Sequence, residues 1–97
     1  MNNFGISNSS YSVILEYFKQ NTNIKKVVVF GSRAMGNYKN GSDIDFAIWG
    51  DELLETKIKA DLEELKTPYM YDVVVFDDLQ KEELKNHIME LGKVFYE

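Results

Sequence analysis

The apolar run Val27-Val28-Val29-Phe30, closed by Gly31, constrains the fold of this 97-residue chain more than any other feature. The run carries no polar residue at alternate positions, which is typical of a strand that is covered on both faces. We therefore expect a buried strand over 25–30, with other elements packed on each side of it.

Helical and strand patterns alternate along the rest of the chain. The predicted elements are a helix over 9–21, the strand over 25–30, a loop over 37–41, a strand over 43–49, a helix over 51–66, a strand over 69–76, a final helix that ends near residue 92, and a short strand or packed tail over 94–96. The link over 31–42 is too short for a crossover helix, although one helical turn after Ser32 would fit. The order predicts an α/β (α+β) fold, with helices packed on a mixed three- or four-stranded sheet.

The helix ends are predicted from residues that satisfy free backbone groups. Asp51 is expected to cap the helix over 51–66, and Asp77 or Asp78 to cap the last helix, because their carboxylates can accept from free amides. Gly92 is expected to end that last helix at its C′ position.

Length and composition narrow the class of protein. One domain over 1–97 is expected, without room for a separate substrate domain. The absence of cysteine excludes disulfides and Cys-based zinc sites, and no apolar run is long enough to span a membrane. With no recognisable secretion signal at the N-terminus, a cytoplasmic location is expected.

The charge pattern favours a small anionic ligand over a nucleic acid. The net charge of −5 argues against direct binding to a nucleic-acid backbone, which usually needs a basic face. Locally, residues 24–40 hold four basic residues and no acid. A positive field there suits a nucleoside triphosphate, although its three lysines could equally be ordinary solubilising charges.

Three aspartates are candidates for a metal site. Asp43 and Asp45 lie two residues apart, so in a strand both carboxylates face the same side, with α-carbons about 6.6 to 7 Å apart. Asp72 begins another apolar strand and should have a partner if it is buried. If that strand neighbours the first, the three acids converge. Taken alone, an Asp-x-Asp pair also occurs by chance as two solvated strand-end acids.

The glycine loop does not match a P-loop. Gly31 and Gly36 have the glycine spacing of a Walker A motif, but Asn37-Tyr38 stands where Lys-Ser or Lys-Thr is required. The loop must therefore hold phosphate, if it does, in another way.

The ordered motif is more specific than its parts. Gly31-Ser32, ten residues, Asp43-Ile44-Asp45 and a later Asp72 together resemble the nucleotidyltransferase superfamily related to DNA polymerase β. At this length the chain is similar to the minimal nucleotidyltransferases that act as antitoxins beside a HEPN-domain toxin. The resemblance covers nearly the whole chain and implies the polymerase β-like nucleotidyltransferase fold.

The resemblance also implies residue roles. Gly31 and Ser32 would hold the triphosphate of ATP, and Asp43 and Asp45 would bind Mg²⁺ in a two-metal site. Asp72 would complete the metal site and help to activate the acceptor hydroxyl. Two further residues, Arg33 and Ser42, are expected among the nucleotide-binding residues. Met35 departs from the basic residue frequent in the family's Gly-Ser-Arg-Ala-Arg-Gly, so no phosphate or partner contact is assigned there.

The activity implied by the resemblance is transfer of AMP from ATP to a protein hydroxyl, with a tyrosine of a HEPN toxin as the acceptor. Two alternatives stay open. The chain could be a non-catalytic nucleotide-binding antitoxin that neutralises its partner by occlusion, or it could modify a small molecule such as an antibiotic.

Several other residues are predicted to have ordinary structural roles. His87 is expected at the surface, and Trp49, Tyr69 and Tyr71 are expected to pack in the core rather than to line an adenine or partner surface. Tyr38 is expected to be exposed, with no assigned role.

Overall fold

The computed structural model describes residues 3–97, so Met1 and Asn2 of the predicted domain lie outside the described residues. The helices are α1 (Asn8–Gln20), α2 (Ser32–Met35), α3 (Glu55–Glu64) and α4 (Glu82–Leu91), and the strands are β1 (Ile24–Phe30), β2 (Ile44–Gly50), β3 (Tyr71–Val75) and β4 (Lys93–Tyr96). A 3₁₀ turn (Phe76–Asp78) follows β3. Along residues 3–97, none of the helices combines the length and the apolar character needed to cross a membrane.

The four strands form one mixed sheet in the order β3-β2-β1-β4. β1 is antiparallel to both of its neighbours, whereas β2 and β3 run parallel. This arrangement confirms the predicted α/β fold and resolves the strand number as four, because the C-terminal segment pairs with β1 as a strand.

The valine run lies inside the sheet and is covered on both faces, as predicted. Val27 and Val29 belong to the larger core with residues of α1 and α3, including Phe18 and Leu62. On the opposite face, Val28 packs in a smaller core with residues that include Ile88 of α4. Since successive side chains of a strand alternate between faces, the run supplies both cores at once.

The predicted helix starts at Asp51 and at Asp77 or Asp78 are wrong. α3 begins at Glu55 after Leu54, because the backbone of Asp51 is still tied to the sheet: its amide donates to the Asn23 carbonyl at 2.9 Å, and the Asn23 side-chain amide donates to the Asp51 carbonyl at 3.1 Å. The last helix begins at Glu82 instead.

Asp77 and Asp78 belong to the 3₁₀ turn because Phe76 and Leu79, which flank them, pack against the smaller core. That packing holds the chain in a tight turn and delays the start of α4.

Gly92 does end α4, but not in the left-handed conformation that a C′ glycine usually adopts. Its φ and ψ are −68° and 153°, which is extended backbone. Glycine is required there for close packing, because a Cβ would collide with the Ile88 carbonyl and the Val28 side chain. The chain therefore turns from α4 directly onto the sheet.

Candidate active site

The turn between β1 and α2 is built around Gly31. Its φ of 73° and ψ of −152° lie in a region that is essentially restricted to glycine. A Cβ at this position would also collide with a carboxylate oxygen of Asp45. The backbone of the Gly31-Ser32 turn therefore lies directly against this acid, and Ser32 opens the single helical turn that the sequence allowed.

Strand pairing brings the candidate acids to one place. Asp45 of β2 is in register with Asp72 of the parallel strand β3 and with Phe30 of β1. Asp43 lies two residues before Asp45, immediately before β2 begins. Because in-register neighbours lie about 4.8 Å apart across a sheet, Asp45 and Asp72 lie side by side, as assumed from the sequence.

The three acids also interact electrostatically. Asp45 is half-buried, while Asp43 and Asp72 are exposed. The pKa of Asp45 is raised to about 6, first by its burial and then by the negative charges of Asp72 and Asp43, against the lowering effect of Arg33 and His87. Repulsion of this kind favours a cation between the carboxylates.

The carboxylates do not form a complete metal cage by themselves. Within residues 3–97, no three acidic or histidine side chains are grouped closely enough to be ligands of one ion. A cation that takes one or two carboxylates and completes its shell with phosphate oxygens and water, as Mg²⁺ does, is compatible with this arrangement. The donor set therefore fits a metal shared with a bound nucleotide.

Arg33 has a different environment from the one expected of a nucleotide ligand. Its side chain is only 3% exposed. Its Nε and Nη2 both donate to the Ser42 carbonyl, at 3.1 and 2.8 Å, and its Nη1 donates to the Phe4 carbonyl at 2.9 Å. The rings of Tyr38 and Tyr69 lie 5.1 and 5.2 Å from the guanidinium carbon. These contacts are all within the protein.

Ser42 is part of the loop that leads to the acids. Its side-chain oxygen accepts from the Lys39 amide at 2.8 Å, while its carbonyl accepts the two bonds from Arg33. Both ends of the residue are thus engaged in holding the loop immediately before Asp43.

His87 is closer to the site than the sequence indicated. It lies on α4, half-buried, with its ring edge-on to Phe30 at a centroid distance of 6.2 Å, and its charge acts on Asp45. No local sequence signal could have found this, since the position of α4 over β1 depends on how the chain crosses the sheet after β3.

The aromatic residues behave largely as predicted. Tyr71 is buried, and Trp49 is half-buried and stacked on Phe76 at a centroid distance of 4.6 Å. Tyr38 is exposed, as expected, although it also covers one side of the Arg33 guanidinium. Tyr69 is half-buried and accepts a hydrogen bond from the Ser7 amide at 3.0 Å.

The sequence comparisons agree with this geometry. The family described as "Polymerase beta, Nucleotidyltransferase" matches residues 13–97, which include the glycine turn and all three acids. The chain belongs to this family. It is therefore a nucleotidyltransferase domain, as the ordered motif implied.

A curated relative extends the comparison. The chain is 36% identical over 84 residues to the "Putative protein adenylyltransferase MJ0604" of Methanocaldococcus jannaschii, an alignment that covers 75% of this chain and 79% of the relative.

Solved structures confirm the polymerase β-like nucleotidyltransferase fold. A toxin-antitoxin structure with AMP-PNP matches with a TM-score of 0.66 and 20% identity, covering 89% of this chain and 72% of that one. The toxin-antitoxin MntA-HepT matches with a TM-score of 0.65 and 18% identity, covering 93% and 72% of the two chains. At this identity the likeness establishes the fold alone.

Proposed function

We propose that this nucleotidyltransferase uses Mg²⁺ to transfer AMP from ATP to a hydroxyl of a partner protein, and that the acceptor is a tyrosine of a HEPN-domain toxin. The observation that carries the proposal is the register of Asp45 with Asp72 beside the Gly31 turn. It sets a carboxylate pair against a backbone turn that can lie this close to Asp45 only because residue 31 has no side chain.

Each part of the site then has a task. Asp43 and Asp45 would hold Mg²⁺ through their carboxylates, and Gly31 and Ser32 would bind the triphosphate. Mg²⁺, when bound, supplies positive charge to the phosphate oxygens. The exposed Asp72 stands on the neighbouring strand, where it would complete a two-metal site, rather than act as a third ligand of one ion, and would accept the proton of the acceptor hydroxyl.

The reaction requires little else from the protein. The acceptor oxygen bonds to the α-phosphorus, the bond from that phosphorus to the bridging oxygen breaks, and pyrophosphate leaves. Catalysis of such a transfer depends mainly on alignment and charge neutralisation. A small chain can supply both, while a partner protein brings the acceptor.

The nature of the acceptor rests on the relatives. A protein adenylyltransferase is the activity in the name of the curated relative, and toxin-antitoxin complexes are among the solved structures with this fold. Together with the sequence resemblance, they favour a protein acceptor on a toxin. Occlusion of the partner without catalysis would not require the acids and the glycine turn, which are intact here.

The test is transfer of label from ATP carrying ³²P at the α-phosphate, with Mg²⁺ and the protein encoded by the adjacent reading frame. Asp43→Asn should abolish labelling of the partner. Asp51→Asn is the matched control, because Asp51 is an exposed acid that follows the opposite end of β2. It should label the partner at the wild-type rate.

Three outcomes would overturn the proposal. Equal labelling by Asp43→Asn and wild-type protein would remove the acids from the reaction. A partner that binds tightly and is inhibited without labelling would identify a non-catalytic antitoxin. Label found only on an added small molecule, such as an aminoglycoside, would instead favour the antibiotic-modifying alternative.

A further inference from the structure

We propose that Arg33 is a positioning residue that fixes the backbone at the metal-binding end of β2. Residues 4–7, which precede the segment matched by the family, contribute to the same structural support. This inference rests on the proposed function, since it assigns Arg33 to the support of Asp43. It replaces the direct nucleotide contact that the sequence suggested for Arg33.

Burial of the Arg33 charge provides the first argument. A buried guanidinium is costly unless its N–H groups are satisfied. Here the polar partners are backbone carbonyls of Phe4 and Ser42, and two aromatic rings flank the cation. A guanidinium that is 3% exposed and engaged in this way does not present its charge to a phosphate.

The Ser42 contact explains how Arg33 would act on the site. Nε and Nη2 converge on one carbonyl, which restrains the direction of that C=O group. The Ser42 carbonyl and the Asp43 amide belong to the same planar peptide unit. Holding the carbonyl therefore restricts the backbone that carries the Asp43 carboxylate, an exposed residue outside the strand.

The N-terminal segment is attached to the same guanidinium. Phe4, whose carbonyl accepts from Nη1, has a φ of 60°, and Gly5 follows with a φ of 71°. A Cβ at Gly5 would collide with the Tyr38 ring, so this ring packs directly on the backbone. The Ser7 amide then donates to the Tyr69 hydroxyl.

Arg33 thus joins three segments that are distant in sequence. They are residues 4–7, the loop over 38–42 and Tyr69, which precedes β3. The side chains of Phe4 and Ile6 are both buried in the larger core, which anchors the first segment. The arrangement connects these segments to the loop that leads to Asp43.

The decisive variant is Arg33→Lys, which keeps the positive charge but cannot donate in the same forked geometry. Lys39→Met is the matched control, because it removes an exposed positive charge from the same loop. Measurements are the KM for ATP, kcat, Mn²⁺ affinity by water-proton relaxation, and amide hydrogen exchange without nucleotide.

A positioning role predicts a specific pattern. Arg33→Lys should lower kcat by about 10- to 100-fold and weaken Mn²⁺ binding by about tenfold, as for outer-shell partners of metal ligands, with the KM for ATP within about threefold of wild type. The amides of Lys39 and Ser7 should exchange faster. Lys39→Met should leave hydrogen exchange at the amides of residues 39 and 7 as slow as in the wild-type protein.

Opposite results would overturn the inference. A rise of more than about tenfold in the KM for ATP with kcat unchanged would make Arg33 a phosphate ligand. Unchanged exchange at both amides would remove its positioning role. If wild-type protein transfers no label, the Mn²⁺ and exchange measurements still decide the role of Arg33, independently of the proposed function.

A second variant keeps the test valid if Arg33→Lys does not fold. Tyr69→Phe retains the ring against the guanidinium and removes the hydroxyl that accepts from the Ser7 amide. It should accelerate exchange at Ser7 and reduce kcat by a smaller factor than Arg33→Lys. Unchanged exchange at Ser7 would contradict the coupling.

Discussion

The two faces of β2 differ sharply although they belong to one seven-residue strand. Ile44, Phe46 and Ile48 point into the larger core and are fully buried. Between them, Asp45 and Ala47 belong to the other face, where Ala47 packs under α4 and Asp45 stays half-buried beside Asp72. Alternation along the strand thus places the large apolar residues that stabilise the fold on one face and the charged residue on the other.

The comparison teaches that the apolar face of β2 stabilises the strand that carries the candidate acid Asp45. Burying Phe46 is favourable in itself, whereas placing Asp45 near two other acids opposes its ionisation and raises its pKa. The site can tolerate this repulsion because the larger core, packed on the opposite face, holds the strand in place. The following predictions test this division.

Substitution of the neighbouring residues Phe46 and Asp45 should have opposite effects on stability and on transfer. The loss of stability at Phe46 is the largest that we expect. Phe46→Ala should cost about 3–5 kcal/mol of unfolding free energy, because it empties a fully buried aromatic site. Asp45→Asn should leave the unfolding free energy equal to or above that of wild type and reduce transfer by more than about 100-fold, beyond the loss typical of outer-shell partners. Urea unfolding and the labelling assay measure the two.

Equal losses of stability in Phe46→Ala and Asp45→Asn would contradict the different roles assigned to the two faces. Phe46→Leu is the control for the core face, since it preserves much of the apolar volume and should cost less than Phe46→Ala. Wild-type transfer by Asp45→Asn would remove Asp45 from the reaction.

The glycine turn should be the next most sensitive position. Gly31→Ala should cost about 2–4 kcal/mol, because the backbone strain of about 1–3 kcal/mol is accompanied by a collision with Asp45. Gly36→Ala is its control. Its φ is also positive at 85°, but among residues 3–97 no atom beyond its chain neighbours lies within 4 Å of the position that a Cβ would take, so only about 1 kcal/mol is expected. Thermal unfolding measures the stability of both variants. Equal losses of stability would show that Asp45 does not crowd Gly31.

The sequence was sufficient for the strands because they depend on local pattern. The apolar run before Gly31 specified a doubly covered strand. Asp45 lies on β2 as predicted, whereas Asp43, expected as the first residue of that strand, lies just before it. What the sequence could not provide is strand order. The parallel pairing that aligns Asp45 with Asp72 depends on contacts between segments 27 residues apart.

The wrong helix start at Asp51 has the same physical origin. Asp51 has the chemistry of an N-cap, but its backbone is held at the end of the sheet by Asn23. At Arg33 the local pattern suggests a phosphate ligand, which stays a prediction, while the fold places its guanidinium against the carbonyls of Phe4 and Ser42. At both residues the hydrogen bonds depend on tertiary structure that the local pattern does not specify.

The unfolding free energy of the metal-free protein should depend on pH because Asp45 lies on the charged face of β2. The pKa of Asp45 is raised to about 6, so the folded state binds this proton more tightly than the unfolded state. The resulting stabilisation is complete below about pH 4 and is lost as the pH rises through about 6. After allowance for solvent screening at this half-exposed group, the change is roughly 1–2 kcal/mol.

The contribution of Asp45 is isolated by comparing variants across that pH range. Asp45→Asn should lack this part of the pH dependence, whereas Phe46→Leu, on the opposite face, should retain it. Urea unfolding at pH 4.5, 5.5 and 7 without divalent cations measures the difference. A parallel pH dependence in wild type and Asp45→Asn would assign the titration to other carboxylates.

The smallest effect is expected on the outer surface of α3, above the larger core. Lys57 donates to Asp61 at 2.9 Å, and Asp61 also accepts from the Tyr17 hydroxyl at 2.9 Å; the Lys57 hydrogen bond is the largest cause of the lowered pKa of Asp61. Because the Lys57 side chain is 66% exposed, Lys57→Ala should cost no more than about 0.5 kcal/mol, and high salt should remove the difference. Lys59→Ala is the control in the same helix. A loss above 1 kcal/mol for Lys57→Ala alone would mean that surface charge, and not only the buried apolar core, stabilises the fold around β2.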